Sequence, residues 1–327
     1  MPNWSVILQQ IQAGLKGNPE AGIPANPHAI DTIRRDYLAQ LAAHTGRNAI
    51  AYYSGWLQKR AHSDVAINDK DKNALMVTVH GMNRNLGLDL ILHTPGGDLA
   101  ATESMVDYLQ SLFGSNIRAI IPQISMSAGT MIALSCKSIV MGKQSNLGPI
   151  DPQINGIPCQ GVIAEFDRAI NDIRSNPASA PLWQVIISKY HPTFLGTCQH
   201  AIKWSESLAE TWLAKNMRNG DLKSSKEILK EFSDHNTNKS HARHISKEKC
   251  IQIGLTIEDM ETDQAFQDLV LSVHHCFMHT FTMTSAIKIV ENQSGVAYVE
   301  HGAMQMQQGP QILFGGQPVP MQGGAPI

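Results

Sequence analysis

The chain has 327 residues, 43% hydrophobic and 17% charged, enough to bury a sizeable core and too apolar for a disordered scaffold. Its 26 Lys and Arg against 28 Asp and Glu leave a net charge of −2, which excludes the broad basic surface that nucleic-acid binding needs. Five scattered cysteines, no basic leader and no uninterrupted apolar span point to a cytoplasmic protein with reduced thiols, no signal peptide and no membrane span.

Residues 3–16 read as a short amphipathic helix, followed by a proline-rich loop and a second helix over 28–45. Residues 48–53 form a strand-like run, the polar stretch DVAINDKDK a turn, and 74–82 a helix. Residues 88–93 (LDLILH) are a short buried strand ending in Thr94-Pro95-Gly96-Gly97-Asp98. A helix then runs to Gly114, on apolar residues at helical spacing from Leu99 to Phe113. Residues 117–123 are a strand, 127–136 a helix of small residues and 138–142 a third strand. This alternation with short connections predicts an α/β fold with parallel pairing and right-handed crossovers. Helices are expected at about 160–174, 181–190 and 197–219, then a polar, basic segment over 215–249. A short helix over 246–255 closes at Gly254, and 262–292 is expected to be one long helix, with a stripe from Phe266 to Phe281. The last 26 residues, 302–327, hold 6 Gly, 4 Pro and 6 Gln without a charge, the composition of a disordered tail.

Two strand-to-helix turns could carry chemistry. In TPGGD, the paired glycines turn the chain without a Cβ clash and leave amides at a helix N-terminus, suited to an oxyanion. Taken alone, it would be a tight turn capped by Asp98. In ISMSAGTMIAL, Ser127 stands at the first turn of a small-residue helix, at the strand edge where parallel sheets bind ligands. Adjacent parallel strands would set Gly97 beside Ser127, a nucleophile beside an anion-binding backbone.

The run TPGGDL, then SMSAGTMIAL, then KSIVMGKQSNLGPIDPQ resembles the Clp-protease/crotonase superfamily. More closely it resembles the serine dehydrogenase proteinase family, related to signal peptide peptidase A and the stomatin-operon proteases. Residues 273–292 are similar to that family's C-terminal helix. The resemblance implies a Clp-protease/crotonase-like spiral of ββα units with added N- and C-terminal helices, serine-peptidase chemistry on peptide or protein substrates, and a homo-oligomer. The matching block places the catalytic domain at 48–255, which leaves a helical extension over 1–47, a helical segment over 256–301 and the tail over 302–327. By the same resemblance Ser127 is the nucleophile, Gly97 and Ala128 supply the oxyanion amides, and Gly96 lies against substrate.

The base is where the sequence departs from the pattern. Asp151 stands where Clp-type proteases carry their histidine, and the acid position falls at about Ala242, next to His241. A bare aspartate is a poor base for a hydroxyl, so His241 ranks first as base, with Asp151 as orienting acid or site wall. Lys143, Lys189 and Lys203 are the lysines available for a lysine-based variant, Lys189 foremost. His275 and His279 share one helical face at metal-ligand spacing, but without an intervening carboxylate they read as packing or oligomer contacts. No metal, nucleotide or organic cofactor is implied. Two other readings stay open: a crotonase-type acyl-CoA enzyme using Asp151, and a non-catalytic oligomeric scaffold with a degenerate site.

Overall fold

The computed structural model describes residues 4–59, 62–234, 238 and 240–302. Of the tail expected over 302–327, all but residue 302 therefore lies outside the described residues, as do 235–237 and 239 of the basic segment. Strands Asn48–Ser54 (β1) and Leu88–His93 (β2) are buried at every position, as parallel strands covered on both faces must be. Ile117–Ile121 (β3), Ser138–Met141 (β5) and Ile257–Asp259 (β10) continue the sheet, with β1, β2, β3, β5 and β10 mutually parallel.

The C-terminal region corrects the expected long helix. A helix does occupy Gln264–Met283, carrying the predicted apolar stripe, but the chain then turns into strands Ala286–Asn292 (β11) and Ala297–His301 (β12). AIKIVEN is rich in β-branched residues, which favour a strand over continuation of the upstream helix. Strand β11 pairs antiparallel with β1, so the region expected as added helix completes the main sheet, in order β10-β5-β3-β2-β1-β11-β12.

Two layers cover this mixed sheet. On one face Ile50, Tyr52, Leu90 and Leu92 pack against helices Lys70–Val79 (α3), Leu99–Phe113 (α4) and Ala128–Leu134 (α5). On the other, Ala49, Ala51 and Tyr53 pack against Leu38 and Leu41 of helix Ala29–Thr45 (α2) and the stripe of Gln264–Met283. Helix Trp4–Lys16 (α1) adds Ile7 and Ile11 to that layer. Trp4 lies over His279 with ring centroids 4.0 Å apart, and its carbonyl bonds His279 Nε2 at 3.1 Å.

A second, small sheet is built from Ile124–Ser125 (β4), Asn146–Leu147 (β6) and Ile245–Ser246 (β9), with β6 and β9 antiparallel. In the chain, a hairpin, Gln153–Ile154 (β7) with Ile157–Pro158 (β8), lies between β6 and β9. Among the described residues four helices follow: Cys159–Ser175 (α6), Ala180–Ile187 (α7), Phe194–Asn216 (α8) and Leu222–Ser233 (α9). The basic segment thus includes the whole of α9, whose Ile228, Leu229 and Phe232 are buried. Lys247–Gln252 (α10) leads into β10.

Candidate active site

The two turns meet because β2 and β3 are parallel neighbours. Thr94, just past β2, bridges Ser125 of β4, and Met126 N–H donates to the Thr94 carbonyl at 3.0 Å. Gly96 then sits against the serine turn at φ 91°, where an added Cβ would come within 2.6 Å of Ser127 Cβ and 2.7 Å of the Met126 carbonyl. Only glycine fits there. Asp98 caps α4, its carboxylate accepting from Ala101 N–H at 2.7 Å.

Ser127 occupies φ 51°, ψ −120°, a conformation that a residue with a Cβ rarely adopts. A strained strand-to-helix turn of this kind lifts a serine hydroxyl clear of the sheet. Ala128 follows as the first residue of α5, where helix geometry leaves its N–H without an intrahelical partner.

The Gly97 amide is set by a neighbour that sequence reasoning missed. Ile67, in the polar stretch before α3, pairs with Gly97 in a parallel bridge. Its N–H donates to the Gly96 carbonyl at 2.8 Å, and its carbonyl accepts from Asp98 N–H at 2.9 Å. Since successive amides of an extended chain point to opposite sides, the Gly97 N–H faces away from Ile67. A Cβ on Gly97 would lie 2.3 Å from Ile67 N, so this close approach also requires glycine. Neither the Gly97 nor the Ala128 amide donates to another backbone carbonyl among the described residues.

Ser127, Ala128, Gly96, Gly97 and His241 line one cavity of about 440 Å³, with Met131, Ile150 and Trp204 among its apolar walls. A second cavity, about 570 Å³, adjoins it through Pro95, Gln153 and His241 and is walled by Trp56, Met126 and Pro158. His241 Nδ1 lies 2.8 Å from Asp151 Oδ1, with Asp151 buried and the imidazole 23% exposed. The antiparallel pairing of β6 with β9, Asn146 with Ser246 and Leu147 with Ile245, brings the chain segments that carry Asp151 and His241 near each other. Lys143, Lys189 and Lys203 are exposed, and none is among the residues lining either cavity.

Behind the turn, His93 ends β2 fully buried, packed near Tyr53, Trp56 and His274. Burial pushes its pKa down to about 3, so it stays neutral and adds no charge beneath the site. Cys159, at the start of α6, is pushed up to about 12, first by burial and then by Cys198 and Asp151. It is a structural thiol and not a nucleophile. All five cysteines are free and buried. Among the described residues no cluster of His, Cys, Asp or Glu has a metal-binding arrangement, and no helix is long and apolar enough to cross a membrane.

Residues 60–178 match the family described as ClpP-like SDH-type serine proteinase, a span that includes Gly96, Gly97, Ser127, Ala128 and Asp151 but not His241. Two uncharacterized proteins of Methanocaldococcus jannaschii, MJ0137 and MJ1495, are each 32% identical over 102 residues, or 31% of this chain. The chain spans about a third of the length of these curated relatives, 35% of each. Residues 60–178, the segment that carries both turns, are thus similar to the ClpP-like SDH-type serine proteinases.

Proposed function

We propose that the chain is a serine endopeptidase that acts through an acyl-enzyme on Ser127. The observation that carries this reading is that His241, paired with the buried Asp151 at 2.8 Å, lines the cavity that also holds the strained Ser127. In this scheme Asp151 accepts a hydrogen bond from His241 Nδ1–H and fixes the tautomer that leaves Nε2 free as a base. Nε2 takes the Ser127 proton as Oγ attacks the scissile carbonyl. The Gly97 and Ala128 amides receive the oxyanion. His241 then protonates the leaving amine, and water repeats the sequence to release the acid.

Acid and base here exchange places relative to the Clp order, the aspartate following the serine and the histidine coming late in the chain. The engagement of Asp151 by His241 favours the peptidase over an acyl-CoA enzyme, which would need that carboxylate facing substrate. The protein is proposed to work in the cytoplasm as a homo-oligomer. Digestion of an unfolded, casein-like protein tests the reading. The parent chain should cleave it and Ser127→Ala should not; equal cleavage by both, or binding to immobilised CoA without cleavage, would overturn it.

A further inference from the structure

Resting on the peptidase reading above, we propose that the buried Lys288–Asp71 ion pair is a positioning device for the Gly97 end of the oxyanion hole. Lys288 projects from β11, and its Nζ lies 2.9 and 3.0 Å from the two Asp71 carboxylate oxygens. Tyr52 of β1 donates its hydroxyl to the same carboxylate at 2.7 Å. Lys288 and Asp71 are wholly buried and Tyr52 is 1% exposed. Burial, with Asp71 beside it, holds the Tyr52 phenol well above its ordinary pKa, so it remains a donor.

Buried ion pairs seldom stabilise a fold better than apolar residues of similar volume. The hydrogen bonds left over on this pair show what the charges hold. Lys288 Nζ donates to the Ala66 carbonyl at 2.8 Å, and Asp71 Oδ2 accepts from Asn68 N–H at 3.0 Å. The Asn68 amide group also donates to Ala66, at 3.1 Å. The residue fixed between Ala66 and Asn68 is Ile67, whose N–H and carbonyl grip Gly96 and Asp98 on either side of Gly97. Chain positions 66, 67 and 68 therefore form a strap. Its outer ends are tied to a charge pair in the sheet, and its middle ties the turn whose amide receives the oxyanion. Neither Lys288 nor Asp71 lines the cavity, while Ala66 does, so the pair acts through the strap and not on substrate.

The double variant Asp71→Leu/Lys288→Met of the full chain tests this, using peptide hydrolysis and inhibition by a peptide aldehyde. The aldehyde's hemiacetal with Ser127 needs the oxyanion hole, whereas ground-state binding of the peptide does not. The variant should melt as a folded protein and lose about 10- to 100-fold in kcat, the scale of a small misplacement or a lost donor. Its KM should stay within about twofold, and aldehyde affinity should fall with kcat. Tyr52→Phe, which removes one support of Asp71, should move both readouts the same way by less. A folded double variant with unchanged kcat and aldehyde affinity overturns the inference, as does a kcat loss matched by a rise in KM with aldehyde affinity intact. Should the double variant fail to fold, Asp71→Asn carries the same prediction. A parent chain that neither cleaves peptide nor binds the aldehyde overturns the peptidase reading and this inference with it, whereas an active parent with an unaffected variant overturns the inference alone.

Discussion

A serine at φ 51° and ψ −120° costs the fold roughly 1–3 kcal/mol that an ordinary N-cap would not, and neighbouring contacts must hold it there. Gly96 is the closest of them. Gly96→Ala would drive a Cβ into Ser127 and the Met126 carbonyl, so activity should fall at least ~100-fold, while a near-native melting curve separates this from unfolding. Asp151→Asn tests the other side of the site. It keeps the side chain's shape but favours the wrong His241 tautomer, and kcat should fall by about 10⁴-fold with KM little changed. A loss below tenfold would show that Asp151 does not orient the base. At this scale the glycines and Ser127 were legible because turn chemistry is local. Ile67 was not, because a main-chain bridge between residues thirty positions apart leaves no mark on side-chain pattern.

Elements that carry a strong period were read within a few residues: α4 spans Leu99–Phe113 as the apolar spacing predicts, and β2 covers Leu88–His93. The helix–strand boundary near residue 284 was missed because the stripe of Gln264–Met283 runs straight into an apolar run that fits either period. His241 and Asp151 meet beyond the pairing of two-residue strands β6 and β9, which are too short to announce themselves by alternation. At the far edge of the sheet, β10 is fastened by Glu258, which accepts from Arg118 of β3 at 2.7 Å and from Ser138 of β5. Burial opposes ionisation of Glu258, but the bonds from Ser138 and Arg118 outweigh it and hold its pKa below the ordinary carboxylate value. Its contribution is thus complete above the unfolded pKa of about 4.5 and fades as pH falls through the lower folded value. Glu258→Gln should cost about 0.5–1 kcal/mol at neutral pH, where water screens so exposed a pair, and progressively less as pH falls below 4.5; urea melts at neutral and acid pH check this.

For the whole molecule, the main consequence of β11 and β12 is that the first and last parts of the chain share one core. Arg34 of α2, 1% exposed, donates to Glu291 of β11 at 2.7 Å through Nε and at 3.1 Å through a terminal nitrogen. Arg35 reaches the same carboxylate at 2.7 Å. Arg34→Met should destabilise the protein by ~3 kcal/mol, since Arg35 alone cannot match a buried carboxylate's two partners; denaturant melts that move by less than 1 kcal/mol would contradict this. Helices α1 and α2 and the helix Gln264–Met283 thus share one layer on the sheet, a relation that composition could not reveal because it is made by packing between distant parts of the chain. That layer backs the sheet whose strand β2 leads into Gly97, while Ala201, Trp204 and Ser205 of α8 and His241 line the cavity that holds Ser127 and Gly97. The most direct test of this arrangement is labelling of the intact protein by a fluorophosphonate probe, located by peptide mass spectrometry. The account predicts modification at Ser127 and its near-complete loss in His241→Ala. Labelling of Ser127 that is indifferent to His241, or a label carried by another residue, would contradict it.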